Sequence, residues 1–186
     1  MSAHGAVRRP PSSGRERARA ADGSRFLVGE HQVAAEYIME SLSLAVFDDK
    51  VGMKMINFVA MADVRLAENR LDEAQRYCDH ALETAEHLQS DHHLCGMMYL
   101  VCGKVAFARA KETQGQEARY VLQEAQAIYE KAEEHLAQTQ AAAHLSELYG
   151  RRAEVYEALN QPQKALACWK SAFNVSAATR GAGWYE

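Results

Sequence analysis

The 186-residue sequence predicts an all-α chain of antiparallel helical hairpins, and three observations carry that expectation. First, one phrase is written twice: residues 60–74 read AMADVRLAENRLDEA and residues 151–165 read RRAEVYEALNQPQKA. In each, a small residue (Ala62, Ala153) stands seven positions before an asparagine (Asn69, Asn160), and an alanine (Ala74, Ala165) stands five positions after it. A helix, a tight turn at the asparagine and a second helix explain the spacing, and recurrence of such a unit marks a helical-hairpin array. Second, no proline occurs from Phe26 to Asn160, so helices can run without a lost donor or a ring clash. Third, Leu, Ala, Glu, Gln and Arg dominate that stretch, and all are good helix formers.

Helical periodicity places the elements near residues 31–47, 51–68, 71–89, 92–112, 116–138, 141–159 and 162–178. Asp48-Asp49 is expected to cap the second helix, and Ser90-Asp91 the fourth. Asn69 and Asn160 suit the left-handed conformation that closes a helix, and Gly115 is assigned the same role between the fourth and fifth. Pro162 falls in the first turn of the seventh, where its missing N–H costs nothing.

Composition adds bounds. With 48% apolar and 25% charged residues the chain fits one ordinary globular domain. The net charge of −4 hides two opposite parts: residues 1–25 carry six arginines against Glu16 and Asp22, and the rest holds 15 basic and 23 acidic residues. An acidic body argues against a nucleic-acid surface there. Residues 1–25 offer almost nothing to bury and read as a disordered basic segment, a linker or leader rather than a contact surface. No membrane partner is expected and nor is nucleic acid, this segment being the one place where it could touch. Residues 26–180 are assigned to the helical domain and 181–186 to a flexible tail. No apolar run reaches the roughly 18–20 residues of a membrane span. The N-terminus shows no apolar signal core, and Cys78, Cys95, Cys102 and Cys168 have no CxxC spacing. Buried thiols in a reducing, cytoplasmic setting are therefore expected.

The two phrases resemble tetratricopeptide repeats. In the last repeat the first-helix positions are Tyr149, Ala153 and Tyr156, and the second-helix positions are Ala165, Trp169 and Ala172. In the earlier one they are Phe58 and Ala62, then Ala74, Cys78 and Ala81, with Arg65 where an aromatic is expected. A stretched third repeat matches through Tyr99, Gly103 and Ala106, then Ala118, Leu122 and Ala125. The first helix offers only the second half of a unit, through Ala34, Ile38 and Ser41. An Ala or Gly where two helices cross lets the backbones approach, and the large residue beside it fills the gap. The alanines at 34, 74, 118 and 165 lie further apart than the family's unit of roughly 34 residues. The longer helices resemble the repeat domains of bacterial transcription regulators. What the resemblance implies is a right-handed superhelix, a TPR-like α-solenoid, of about three and a half hairpins.

Candidate chemistry is sparse. Asp91-His92-His93-Leu94-Cys95, with His80 and His87 upstream, is the densest cluster, and His92 and Cys95 share a face at metal-ligand spacing. No second ligand pair stands out, so no metal is assigned; helix capping by Asp91 beside exposed histidines is the better account. Cys95 and Cys102 repeat at seven beside Gly96 and Gly103, which reads as small residues lining a tight crossing. Tyr120, Tyr129, Tyr149 and Tyr156 follow helical spacing and are assigned to the core. No phosphate loop and no catalytic constellation is found, so neither a cofactor nor enzymatic activity is expected.

In the resembled family the inner wall is lined by first-helix residues opposite the packing seam. Mapped here, that concave face carries Asp63 and Leu66, then Met97, Leu100, Lys104 and Phe107, then Glu147, Glu154 and Glu157. Its middle is apolar and its C-terminal end acidic, which complements a peptide with a hydrophobic anchor and a basic flank. The expected function is a non-enzymatic module binding a protein or peptide segment on this face. The alternative is the peptide- or ligand-sensing or oligomerisation domain of a transcription regulator whose DNA-binding part lies elsewhere. Homo-oligomerisation through the N-terminal half-unit is a further expected use of the surface.

Overall fold

The computed structural model describes residues 28–88 and 91–181, which form seven helices. They are α1 Val28–Phe47, α2 Val51–Ala67, α3 Leu71–Ala85, α4 His92–Glu112, α5 Gly115–Leu136, α6 Ala142–Ala158 and α7 Pro162–Gly181. Every expected helix is present, with ends displaced by about a turn at most. The basic segment 1–25 and residues 182–186 of the expected tail lie outside the described residues, whereas Gly181 belongs to α7.

Three interhelical turns share one geometry. Asp49, Asn69 and Asn160 hold left-handed backbones, with φ of 51°, 57° and 58°. The amide after each reaches back five residues: Lys50 to the Ala45 carbonyl at 2.9 Å, Arg70 to Arg65 at 2.8 Å and Gln161 to Tyr156 at 2.8 Å. This is the Schellman closure, and it satisfies two orphan carbonyls while reversing the chain within three residues. Asp and Asn tolerate the left-handed region because a short polar side chain can bond locally. Asp48-Asp49 therefore does not cap α2, as its composition suggested; Asp49 closes α1, and Lys50 stands at the N-cap without a side-chain capping bond. Gly115 is also left-handed, at φ 64°, but it opens α5 rather than closing α4. Asp91 caps α4 as expected, its Oδ1 accepting from the Leu94 amide at 3.0 Å.

Each helix packs antiparallel on the next, and α4 also meets α2 and α6. The even-numbered helices are thus neighbours in space, while α1 rests on α2 alone and α7 on α6 alone among the described helices. Two apolar clusters form the core. One joins Met55, Val59 and Ala62 to Ala74, Cys78 and Ala81 and to Met98, Val101 and Val105. The other joins Leu100, Phe107 and Ala110 to Ala125, Tyr129 and Leu136 and to Leu148 and Val155. Because α4 feeds both, it is apolar nearly all round. No helix among the described residues is long and apolar enough to cross a membrane.

The small residues sit where helices cross. Ala62, Ala74, Ala81, Ala125 and Ala153 are fully buried, with Ala165, Ala172 and Gly103 also inside. A Cβ on Gly96 would lie 2.6 Å from Leu136 Cγ, and one on Gly103 would lie 2.5 Å from Tyr129 Cδ1. These two glycines set the α4–α5 approach, and Cys95 and Cys102 are buried beside them. Phe58, Tyr99 and Ala118 are half-buried. Tyr129 and Tyr156 are core residues as expected and Tyr149 is half-buried, but Tyr120 is 70% exposed, because it faces away from α4.

Arg65 occupies the place that Tyr156 takes in the last hairpin. Its guanidinium pairs with Glu68 at 2.6 Å and with Glu73 at 3.3 Å, tying α2 to α3. At the equivalent positions, Lys164 Nζ lies 5.5 Å from the Tyr156 ring centroid. A cation–carboxylate contact in one hairpin thus replaces a cation–π contact in the other.

Candidate functional site

Helices α2, α4 and α6 lie side by side, and α1 folds against α2 so that its inner face completes a groove. The groove encloses about 590 Å³ and is lined by His31, Ala34 and Ile38 of α1, Ala60, Asp63, Val64, Leu66 and Ala67 of α2, Lys104, Phe107, Ala108 and Lys111 of α4, and Glu147 and Arg151 of α6. Tyr129 of α5 reaches its floor from behind. Ala60, Ala67 and Ala108 keep the walls low, and Ile38, Leu66 and Phe107 supply apolar surface.

A row of charges crosses this surface. Lys104 is 16% exposed, and its Nζ lies 2.7 Å from Asp63 Oδ1 on α2 and 3.7 Å from Glu147 Oε1 on α6. Arg151 continues the row, with Nε 4.0 Å from Glu147 and Nη1 3.3 Å from Glu154. One cation therefore bridges three helices, and the acids on either side of it are half open to water. Lys111 lies over the Phe107 ring, 4.2 Å from its centroid.

The Tyr129 hydroxyl is the site's unmet donor. Its ring is fully buried, and among the described residues its oxygen has no hydrogen-bond partner. Burial pushes the hydroxyl far above the ordinary phenol range, and the Glu154 and Glu147 carboxylates push it the same way against Arg151, so it keeps its proton.

Of the expected concave-face residues, Asp63, Leu66, Lys104, Phe107 and Glu147 line this groove. Leu100 belongs to the core, at 3% exposed, and Met97 is half-buried on α4 outside the lining. Glu154 engages Arg151, and Glu157 accepts from Trp169 Nε1 at 2.9 Å. Sequence mapping missed Arg151, Lys111 and Tyr129. Arg151 carries a signal, since it stands four residues after Glu147 on one helix. Tyr129 carries none, because second-helix residues are expected on the outer layer; only its depth against Gly103 brings it through to the groove.

A second cluster lies where α4 begins and α5 ends. His92 Nδ1 and His135 Nδ1 are 3.2 Å apart, His135 stacks on Tyr99, and the His93 and His144 rings lie 5.3 Å apart by centroid. Burial lowers the His135 pKa, and the adjacent His92 lowers it further. The fourth helix thus does meet two further histidines, contributed by α5 and α6, that spacing along the chain did not reveal. Among the described residues no three His, Cys, Asp or Glu side chains converge as metal ligands. The hydrogen bond that the Cys102 thiol donates to Cys78, together with burial, pushes that thiol up, so little thiolate forms there. On the outer side of α6, Arg152 donates to Glu133, which also accepts from the Tyr149 hydroxyl at 2.8 Å.

No protein-family model matches this chain, and no curated protein matches it significantly.

Proposed function

We propose that the chain is a non-enzymatic protein-interaction module, a TPR-like α-solenoid of about three and a half hairpins with the right-handed superhelical course the repeat phrases imply. Its concave face takes an extended peptide or a segment of a partner protein. The observation that supports this most is the groove itself, in which apolar walls stand beside a solvent-facing row of charges. An apolar side chain would rest against Ile38, Leu66 and Phe107. Peptide charges of either sign would exchange with the Asp63–Lys104–Glu147–Arg151 row, giving register more than raw affinity. The interleaving of Lys104 and Arg151 with the acids widens the expectation of a basic flank to a flank of alternating sign.

Panning a random peptide library against the full chain tests the reading. Selected peptides should lose at least about tenfold in affinity to chains carrying Asp63→Arg or Ala108→Trp, since about 1.4 kcal/mol is a factor of ten. Both substitutions keep the core intact: Asp63 is exposed, and Ala108 is half-buried on the lining. Selection of no peptide, or of peptides indifferent to both substitutions, would refute it.

A further inference from the structure

The outermost described helices each leave one face uncovered, and the two faces are complementary. On α1, Val33, Tyr37, Glu40, Leu44 and Phe47 fall on a single stripe at steps of three and four residues. That stripe points away from α2, with Tyr37 70%, Leu44 62% and Phe47 88% exposed. On α7, Leu166, Trp169, Lys170 and Phe173 make a second stripe, with Leu166 55% and Phe173 66% exposed. The place of Trp169 is taken in the α2–α3 hairpin by Cys78, which α4 covers almost completely. Only α6 packs on α7 among the described helices, so the residue that corresponds to a core position stands in the open.

Charge says what covers them. Within Val28–Phe47 the charged residues are Glu30, Glu36 and Glu40, with no Lys or Arg; within Pro162–Gly181 they are Lys164, Lys170 and Arg180, with no Asp or Glu. One charge sits mid-stripe on each face, Glu40 on α1 and Lys170 on α7, and neither has an ion-pair partner among the described residues. A symmetric pair of α1 faces running antiparallel would set Glu40 against Glu40, and a pair of α7 faces would set Lys170 against Lys170. Like charges opposed across a closing interface disfavour both pairings. Setting α7 on α1 opposes Lys170 to Glu40 and buries two apolar stripes around them.

We infer that a second copy of this chain is the occupant: the α7 face of one copy docks on the α1 face of the next, head to tail, through a heterologous contact that closes into a ring or continues as a filament. The contact is separate from the groove and stands whether or not the groove binds peptide.

Sedimentation velocity of the full chain tests it with two variants. One carries Tyr37→Arg and Leu44→Arg on α1, the other Leu166→Asp and Phe173→Asp on α7. All four positions are exposed, and circular dichroism checks that each variant keeps its helix content. Wild type should grow in mass with concentration, and each variant alone should sediment at its monomer mass of 20.7 kDa. An equimolar mixture of the two should give a species of twice that mass and nothing larger, because each copy keeps one competent face. Persistent dimerisation of either variant alone would overturn the inference in favour of a symmetric pair. A wild type that stays monomeric at every concentration would overturn it too, whether residues 1–27 or an unrelated protein then cover the faces. Charge reversal supplies the second readout. Glu40→Lys and Lys170→Glu should each weaken association at least about tenfold and together restore it, and failure of the pair to restore would count against the contact.

Discussion

Gly103→Ala is the sharpest test of how α4 and α5 are held. The new methyl would stand 2.5 Å from Tyr129 Cδ1 and 2.8 Å from its Cζ, well inside van der Waals contact. The ring cannot step aside, since Tyr129 is fully buried and packed among Leu100, Ala125 and Leu148. Overpacking a tight core costs about 1–3 kcal/mol. Against this, Ala in place of Gly in a helix interior contributes about 1 kcal/mol. The net expectation is a loss of about 0–2 kcal/mol. Gly150→Ala is the matched control: it brings the same propensity gain, but its methyl would lie 3.5 Å from Trp169 Cζ3, an ordinary contact, so it should stabilise by about 0.5–1 kcal/mol. Urea denaturation followed by circular dichroism at unchanged m-value reads both. Truncating the ring, Tyr129→Leu, should make Gly103→Ala markedly less costly, a coupling that a double-mutant cycle measures. If Gly103→Ala raises the midpoint, or if the two changes prove additive, the close approach at Gly103 is not what sets this crossing.

Other perturbations follow from the same geometry. Asn160→Val places a β-branched residue at φ 58° and should cost about 1–2 kcal/mol, read as a fall in melting temperature, whereas Asn160→Gly should be neutral or slightly stabilising. Arg152→Met removes the charged partner of Glu133 while the Tyr149 bond remains, and chemical denaturation should show a loss of about 1.5–3 kcal/mol. His135 binds a proton more weakly in the folded chain than its ordinary value of 6.5, so stability should be level above that pH and decline as pH falls below it. His135→Gln should flatten that acid-side decline in melting temperature; an unchanged profile would show that His135 is not its source. Cys168 is half-buried whereas Cys78, Cys95 and Cys102 are buried, so a thiol reagent should modify Cys168 first and the others only on unfolding.

The duplicated phrase made the hairpins legible because small residues at fixed offsets from a turn report a local event, the crossing of two consecutive helices. The third instance of that turn was hidden by chemistry: Asp49 reads equally as an N-cap and as a left-handed C-terminal residue, and only φ of 51° decides. The groove was half legible for a different reason. Periodicity says which face of a helix a residue occupies, so Asp63, Lys104 and Glu147 could be placed on one wall. It does not say which charges meet across helices, and that pairing converts an acidic wall into a row of alternating sign. Tyr129 was illegible for want of depth, since its role depends on a glycine in another helix leaving room for the ring. Trp169 shows the limit most clearly. It matches a signature position as well as Cys78 does, yet the first is 42% exposed and the second buried. A repeat signature specifies what a position packs toward, while burial depends on whether a neighbour arrives. Trp169 stands exposed because, among the described helices, only α6 packs on α7.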